Sequence, residues 1–268
     1  MDKKIQYVIS TMVFWCRENH LSLEQECDYL RSLGYGVEVW PTMKGHMECR
    51  FEKRNWTRLQ EATGDMTVAL HSRDDGPDLE DWHEQLQCAK LLNAPVVTDL
   101  NGLCVSDKLD VADWDFVKEV VMLADKYGVM LCVENGNLDT LLELGQRFNS
   151  IRYCIDTGHA HLDPNNTFKE IVDHLAERTS YLHLTDNYGE MDDHEPPGVR
   201  GGIDKENWDY LLNRLDKSDN NIIASLQMMP CMPGTMIRQG SKFLFDVMGW
   251  PDRPVPKPGF DETSYRPV

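Results

Sequence analysis

The sequence predicts a (β/α)8 barrel in a single domain. Three observations carry that expectation: eight short apolar runs rich in β-branched residues, helical-period segments between them, and no break in composition along 268 residues. The predicted strands are Ile5–Ser10 (IQYVIS), Gly36–Trp40 (GVEVW), Met66–His71 (MTVALH) and Ala94–Leu100 (APVVTDL). They continue with Gly128–Asn135 (GVMLCVEN), Ile151–Asp156 (IRYCID), Tyr181–Asp186 (YLHLTD) and Asn221–Gln227 (NIIASLQ). A doubly wound open sheet is the competing arrangement, but eight runs of even length favour closure.

The helical segments have readable ends. Ser22 is a natural N-cap for a helix that runs to Gly34. The stretch DLEDWHEQLQCAKLLN places Trp82, Leu86 and Ala89 on one face, and DWDFVKEVVMLADKYG does the same with Trp114, Val117, Val121 and Ala124 before stopping at Gly128. Further helices are expected near Arg54–Ala62, over Lys205–Leu215 and over Thr235–Val247. The barrel domain thus spans 1–250, and 251–268, with five prolines and no core pattern, reads as an extended tail that is ordered only if it packs on the barrel or a partner.

Composition narrows the class of function. A hydrophobic fraction of 41% and a charged fraction of 27% are those of a globular chain. The formal net charge of -18, with no basic cluster, disfavours nucleic acid, whose affinity comes largely from Lys and Arg on phosphates. No apolar run approaches the ~20 residues of a membrane span, and the N-terminus carries no signal-peptide pattern. Eight cysteines, several inside apolar runs and none in a CxxC pair, suggest buried thiols in a cytoplasmic protein.

In a barrel of this kind chemistry sits at the C-terminal ends of the strands. His71 ends strand three, Glu134 strand five, Asp156 strand six and Gln227 strand eight, while strand seven carries His183. Each alone is more often a cap, a loop contact or a satisfied core residue than a ligand. Three ligand types on three successive strand ends, Glu134, Asp156 and His183, would instead meet at one mouth and suit a divalent metal ion. The stretch CIDTGHAHLD adds His159 one turn beyond Asp156, and the loop DNYGEMDDHEPPGVRGGID adds Asp192 and His194 beside a rigid Pro-Pro-Gly.

The motifs VEN, CIDTGH, HLTDN and DDHEPPG…GID resemble the xylose isomerase-like superfamily of sugar phosphate isomerases and epimerases, whose fold the abasic-site endonucleases share. The resemblance runs from about Val8 to Gln227. It implies a divalent ion (manganese, zinc, magnesium or cobalt) held by Glu134, Asp156, His183 and a strand-eight residue, here Gln227. It also implies His159 on a substrate oxygen, His194 at the pocket rim, His71 as the strand-three histidine and a possible homo-oligomer. The substrate class would be a sugar or sugar phosphate bearing a hydroxy-carbonyl group, converted through an enediolate with Glu134 as base. Trp15 and Trp40, near the ends of strands one and two, could wall the pocket, and Arg200 could meet an anionic group; core packing and surface charge are the plain alternatives.

The departure is Gln227 where the family usually has glutamate. An amide can ligate through oxygen, but it carries no charge and takes no proton. The expected site then has two carboxylates and one base. A one-base reaction using Glu134, isomerisation through an enediol or elimination as in a lyase, fits that better than two-base epimerisation. A barrel that binds a sugar without turning it over, or a phosphoesterase with a second metal at His159, Asp192 and His194, are the alternatives.

Overall fold

The computed structural model describes residues 5–15, 21–41, 49–73, 77–105, 113–199, 201–218, 220–230 and 233–258. Eight parallel strands close in sequence order: β1 (Ile5–Ser10), β2 (Gly36–Val39), β3 (Val68–His71), β4 (Val96–Thr98), β5 (Leu131–Glu134), β6 (Arg152–Asp156), β7 (Thr179–Leu184) and β8 (Ile222–Leu226). The closing ladder pairs Ile5 with Ile222 and Ile9 with Leu226. All eight predicted strands are present, mostly trimmed at their ends, where turns begin earlier than apolarity suggests.

The helices fill the connections: α1 (Leu23–Ser32), α2 (Trp56–Thr63), α3 (Leu79–Leu92), α4 (Trp114–Tyr127), α5 (Leu138–Arg147), α6 (Thr157–Leu162), α7 (Phe168–Leu175), α8 (Lys205–Leu215) and α9 (Pro233–Ser241). Ser22 caps α1 as expected, in a reciprocal pair with Gln25. The helix expected over Thr235–Val247 begins at Pro233 and widens into a π-type turn over Lys242–Val247.

Strand periodicity sorts side chains into two cores. Outward residues such as Val37, Val39, Leu70, Val133, Ile155, Leu182 and Leu184 join the large apolar layer between sheet and helices. Inward residues Val8, Ala69, Val97, Cys132, Cys154 and Tyr181 form a separate plug on the axis. Two residues further along the same inward faces come His71, Glu134, Asp156 and His183. The floor of the site is therefore apolar and its wall is ionisable, purely from the alternation of residues along each strand.

The opposite end of the barrel is covered by the chain after Trp250. The Ile5 amide donates to Asp252 Oδ2 at 2.8 Å, the Tyr7 hydroxyl to the Pro251 carbonyl at 3.0 Å and the Lys257 amide to the Ser32 carbonyl at 3.0 Å. The expected tail is thus a strap over residues 251–258, held by the Asp252 carboxylate and by the backbone of Pro251 and Lys257. Gly34, with φ at 83°, lies under it; a Cβ there would sit 2.3 Å from the Val255 carbonyl oxygen. Left-handed strain and this clash act together, so Gly34→Ala is expected to lose about 1–3 kcal/mol in urea unfolding. An unchanged unfolding midpoint would show that the strap does not bear on the barrel.

Candidate active site

Glu134, Asp156 and His183 converge at the C-terminal mouth of the barrel, with exposures of 4%, 0% and 0%. The parallel register explains why: Asp156 on β6 pairs with His183 on β7, and Glu134 on β5 pairs with Cys154 on β6. His183 Nδ1 lies 3.2 Å from Glu134 Oε2 and 3.7 Å from Asp156 Oδ2. Neither contact is aligned as a hydrogen bond, and both His183 Nδ1 and Asp156 Oδ2 are buried without a hydrogen-bond partner. Asp156 spends its other oxygen, Oδ1, on the His159 amide at 2.8 Å, capping α6. Its backbone N–H donates to Asn135 Oδ1, which fixes the strand end from the side.

His159 joins this group from the first turn of α6. Its Nδ1 is 2.8 Å from Glu134 Oε1, and its Nε2 is 3.2 Å from Asp192 Oδ2. His194 Nε2 approaches the same Asp192 oxygen at 2.9 Å. The expected contact from His159 to a substrate oxygen therefore competes with two carboxylates already engaged. His194 is partly buried beside Asp192, in a left-handed conformation with φ at 49°. A cleft of about 440 Å³ opens beside His159, lined in part by Asn135, Asn137, Leu162 and Asp163.

Electrostatics bind these groups into one cluster. Burial opposes the charge of Glu134, but His183 and His159 beside it outweigh burial and hold the carboxyl well below its usual range. Burial, reinforced by the Glu134 charge, instead raises Asp156. His159 is pushed up to about 12: burial works against its charge, while Asp156 and Glu134 overcome it. Burial also works against the charge of His183, yet Cys154, Glu38 and Glu134 raise it well above an ordinary imidazole. Asp192 is held low despite burial by hydrogen bonds from His159 and His194. A cavity that pulls protons onto its imidazoles is one that seeks positive charge.

A divalent cation fits that donor set. Two carboxylates and an imidazole are ordinary ligands for such an ion, and two of the donor atoms are orphaned and face each other. His71, Glu134 and His183, and likewise Glu134, Asp156 and His159, each bring ligand atoms within 4.8 Å of one another. Gln227 follows β8 directly and is buried at 2% exposure.

The aromatic wall differs from the sequence expectation. Trp40 stacks on His71 with ring centres 3.9 Å apart and planes at 12°, and Trp15 meets Trp40 edge-on at 5.0 Å. One face of Trp40 is thus already covered by an imidazole, so it buttresses His71 rather than offering that face to a sugar. The His71 ring bonds the Ser72 carbonyl through Nδ1 at 2.9 Å, which leaves Nε2 toward Glu134 Oε2 at 4.0 Å. Arg200 lies outside the described residues.

Glu38 is the residue the sequence reading passed over. It is fully buried, and its Oε2 accepts from His183 Nε2 at 2.9 Å and from the Tyr181 hydroxyl at 2.7 Å. Burial would raise its carboxyl; His183 beside it reverses that and holds it down at about 2. The available signal was a charged residue inside an apolar strand, in GVEVW, where alternation points it at the axis.

The chain belongs to the family described as the xylose isomerase-like TIM barrel, whose model matches residues 62–247. Solved structures agree in fold. A D-tagatose 3-epimerase-like protein superposes with a TM-score of 0.67 at 16% identity, covering 91% of this chain and 98% of that one. A sugar phosphate isomerase/epimerase from Parabacteroides distasonis gives 0.62 at 11% identity, covering 94% and 96%. A D-allulose 3-epimerase from Methylomonas sp. gives 0.60 at 13% identity, covering 83% and 84%. No curated protein matches the sequence.

The loop that carries Asp192 and His194 is anchored by Asp186. Its backbone exchanges two hydrogen bonds with Glu195, at 2.8 and 2.9 Å. Its carboxylate accepts from the amides of Asn187, Ile203 and Gly198, at 2.9, 3.0 and 3.0 Å. Asp186→Asn turns one acceptor into a donor facing an N–H. The expected loss is about 1.5–3 kcal/mol in denaturant unfolding, with faster proteolysis between 187 and 203. Unaltered stability together with unaltered cleavage would show that the loop is held by other contacts.

Proposed function

We propose that the protein is a divalent-metal-dependent isomerase or epimerase of a sugar or sugar phosphate. The observation that carries this reading is the facing pair of buried, unpartnered atoms, Asp156 Oδ2 and His183 Nδ1, 3.7 Å apart and bordered by Glu134. Glu134, Asp156 and His183 would hold the ion, with Gln227 adding its carbonyl oxygen. When bound, the ion supplies Lewis acidity that offsets negative charge on adjacent oxygens of a hydroxy-carbonyl substrate.

The protein's own groups divide the remaining work. Glu134 takes the proton from the carbon beside the carbonyl. His159 Nδ1 holds Glu134 Oε1 at 2.8 Å, and Asp192 holds the far side of that ring, so the base is kept in one orientation. The apolar plug of Val8, Ala69, Val97, Cys132, Cys154 and Tyr181 excludes water from below. Gln227 cannot accept a proton, so removal and return both fall to the Glu134 side. Transfer between neighbouring carbons on one face, an aldose–ketose interconversion, needs only that single base; inversion at one carbon needs a second.

The test is a panel of aldoses, ketoses and their phosphates, followed by NMR in heavy water with protein loaded with Mn2+ or Co2+. Interconversion is expected, chelator should abolish it, and Glu134→Gln should lower turnover by about 10²–10⁴-fold. Gln227→Glu is expected to tighten metal binding and to open epimerisation. Bound metal without turnover on any sugar would favour a binding barrel. Cleavage of an abasic-site duplex would favour the nuclease alternative, for which the His159–Asp192–His194 grouping is the supporting feature.

A further inference from the structure

We propose that Glu38 is the positioning residue of the metal centre, fixing which nitrogen of His183 faces Glu134 and Asp156. An imidazole can present either nitrogen, and only an unprotonated one can ligate. His183 offers Nδ1 to the carboxylates and Nε2 to Glu38 Oε2, 2.9 Å away. Both Glu38 oxygens accept, Oε2 from the Tyr181 hydroxyl and Oε1 from Trp40 Nε1, so His183 Nε2 is the donor in its bond to Oε2 and carries a proton on the far side from the site. With Nε2 keeping its proton toward Glu38, Nδ1 is the nitrogen that gives up its proton when an ion binds, and its lone pair then points into the mouth.

Three further features make Glu38 specific to this task. The same oxygen accepts the Tyr181 hydroxyl at 2.7 Å, so both donors come from one face of β7, two residues apart. The other oxygen accepts Trp40 Nε1 at 3.3 Å, which ties the carboxylate to the stack on His71. Glu38 has no exposed surface, so it reaches no substrate and acts only through His183. Its negative charge behind the imidazole strengthens the ring as a donor. It also supplies, one layer back, a charge that Gln227 does not supply at the mouth.

This inference rests on the metal reading above, and its test separates the two. Histidine-15N-labelled protein, metal-free and then loaded with Zn2+, reports the tautomer of His183. A parallel Co2+ titration of stripped protein reports affinity. The wild type is expected to show a slowly exchanging Nε2–H on His183 and, with Zn2+, an unprotonated Nδ1. Glu38→Gln keeps the volume but loses the charge, and its amide can turn an N–H toward the ring. Co2+ affinity should fall about 10–100-fold in this variant, with the His183 Nε2–H signal shifted or lost. Tyr181→Phe, which leaves the His183–Glu38 bond in place, should give a smaller fall in the same direction and guards against a Glu38 variant that does not fold. A wild-type His183 protonated at Nδ1 alone would overturn the proposal, as would Co2+ affinity in folded Glu38→Gln equal to wild type. If the wild type binds no Co2+, the metal reading fails, and the role of Glu38 is decided by the tautomer of the metal-free protein.

Discussion

A closed sheet of eight parallel strands sends alternate side chains to a common axis. Everything at the mouth of this barrel follows from that constraint. Along β3, β5, β6 and β7 the inward sequence runs apolar then ionisable: Ala69 then His71, Cys132 then Glu134, Cys154 then Asp156, Tyr181 then His183. Asp156 and His183 are level across the β6–β7 ladder, Glu134 pairs with Cys154 two residues before Asp156, and the ionisable groups of these tilted strands still meet at the mouth. A one-residue slip in any strand would send its ionisable group into the helix-facing core.

Gathering such groups in a dry layer is destabilising unless each is matched. Glu38, Asp156 and His183 are fully buried, and Glu134 and His71 nearly so. Removing one member of a buried pair typically costs about 3–5 kcal/mol, because the other is left uncompensated. The protein spreads this demand over a continuous network, from Tyr181 and Glu38 through His183 to Glu134, His159, Asp192 and His194. Among the described residues, Asp156 Oδ2, His183 Nδ1 and His194 Nδ1 remain unmatched there, and the first two face each other. Their mismatch is where the network asks for a cation.

Much of this was legible in the sequence, for identifiable reasons. Strand alternation is a strong local signal, so the eight strands and the ends carrying Glu134, Asp156 and His183 could be read directly. The helix cap at Ser22 is also local, and it is present. What escaped depends on contacts between distant segments. Glu38 sits only one residue before its strand end and looked like part of an apolar run. Its partners lie more than 140 positions away, at Tyr181 and His183. Trp40 was read as a candidate sugar platform because nothing local reveals that His71 lies against it. The strap's anchors, Asp252 and Pro251, meet β1 from the far end of the chain. The connection after β6 also holds two helices, α6 and α7, and the short first one exists because Asp156 caps it while serving the site.

The central claim is that acids from β5 and β6 and an imidazole from β7 surround one ion. Anomalous diffraction from a crystal of the protein equilibrated with Co2+ tests it most directly. A single strong peak about 2.0–2.2 Å from Glu134, Asp156 and His183 Nδ1 is the predicted result. No peak at saturating Co2+, or a peak bonded to surface residues with that trio left empty, would contradict it.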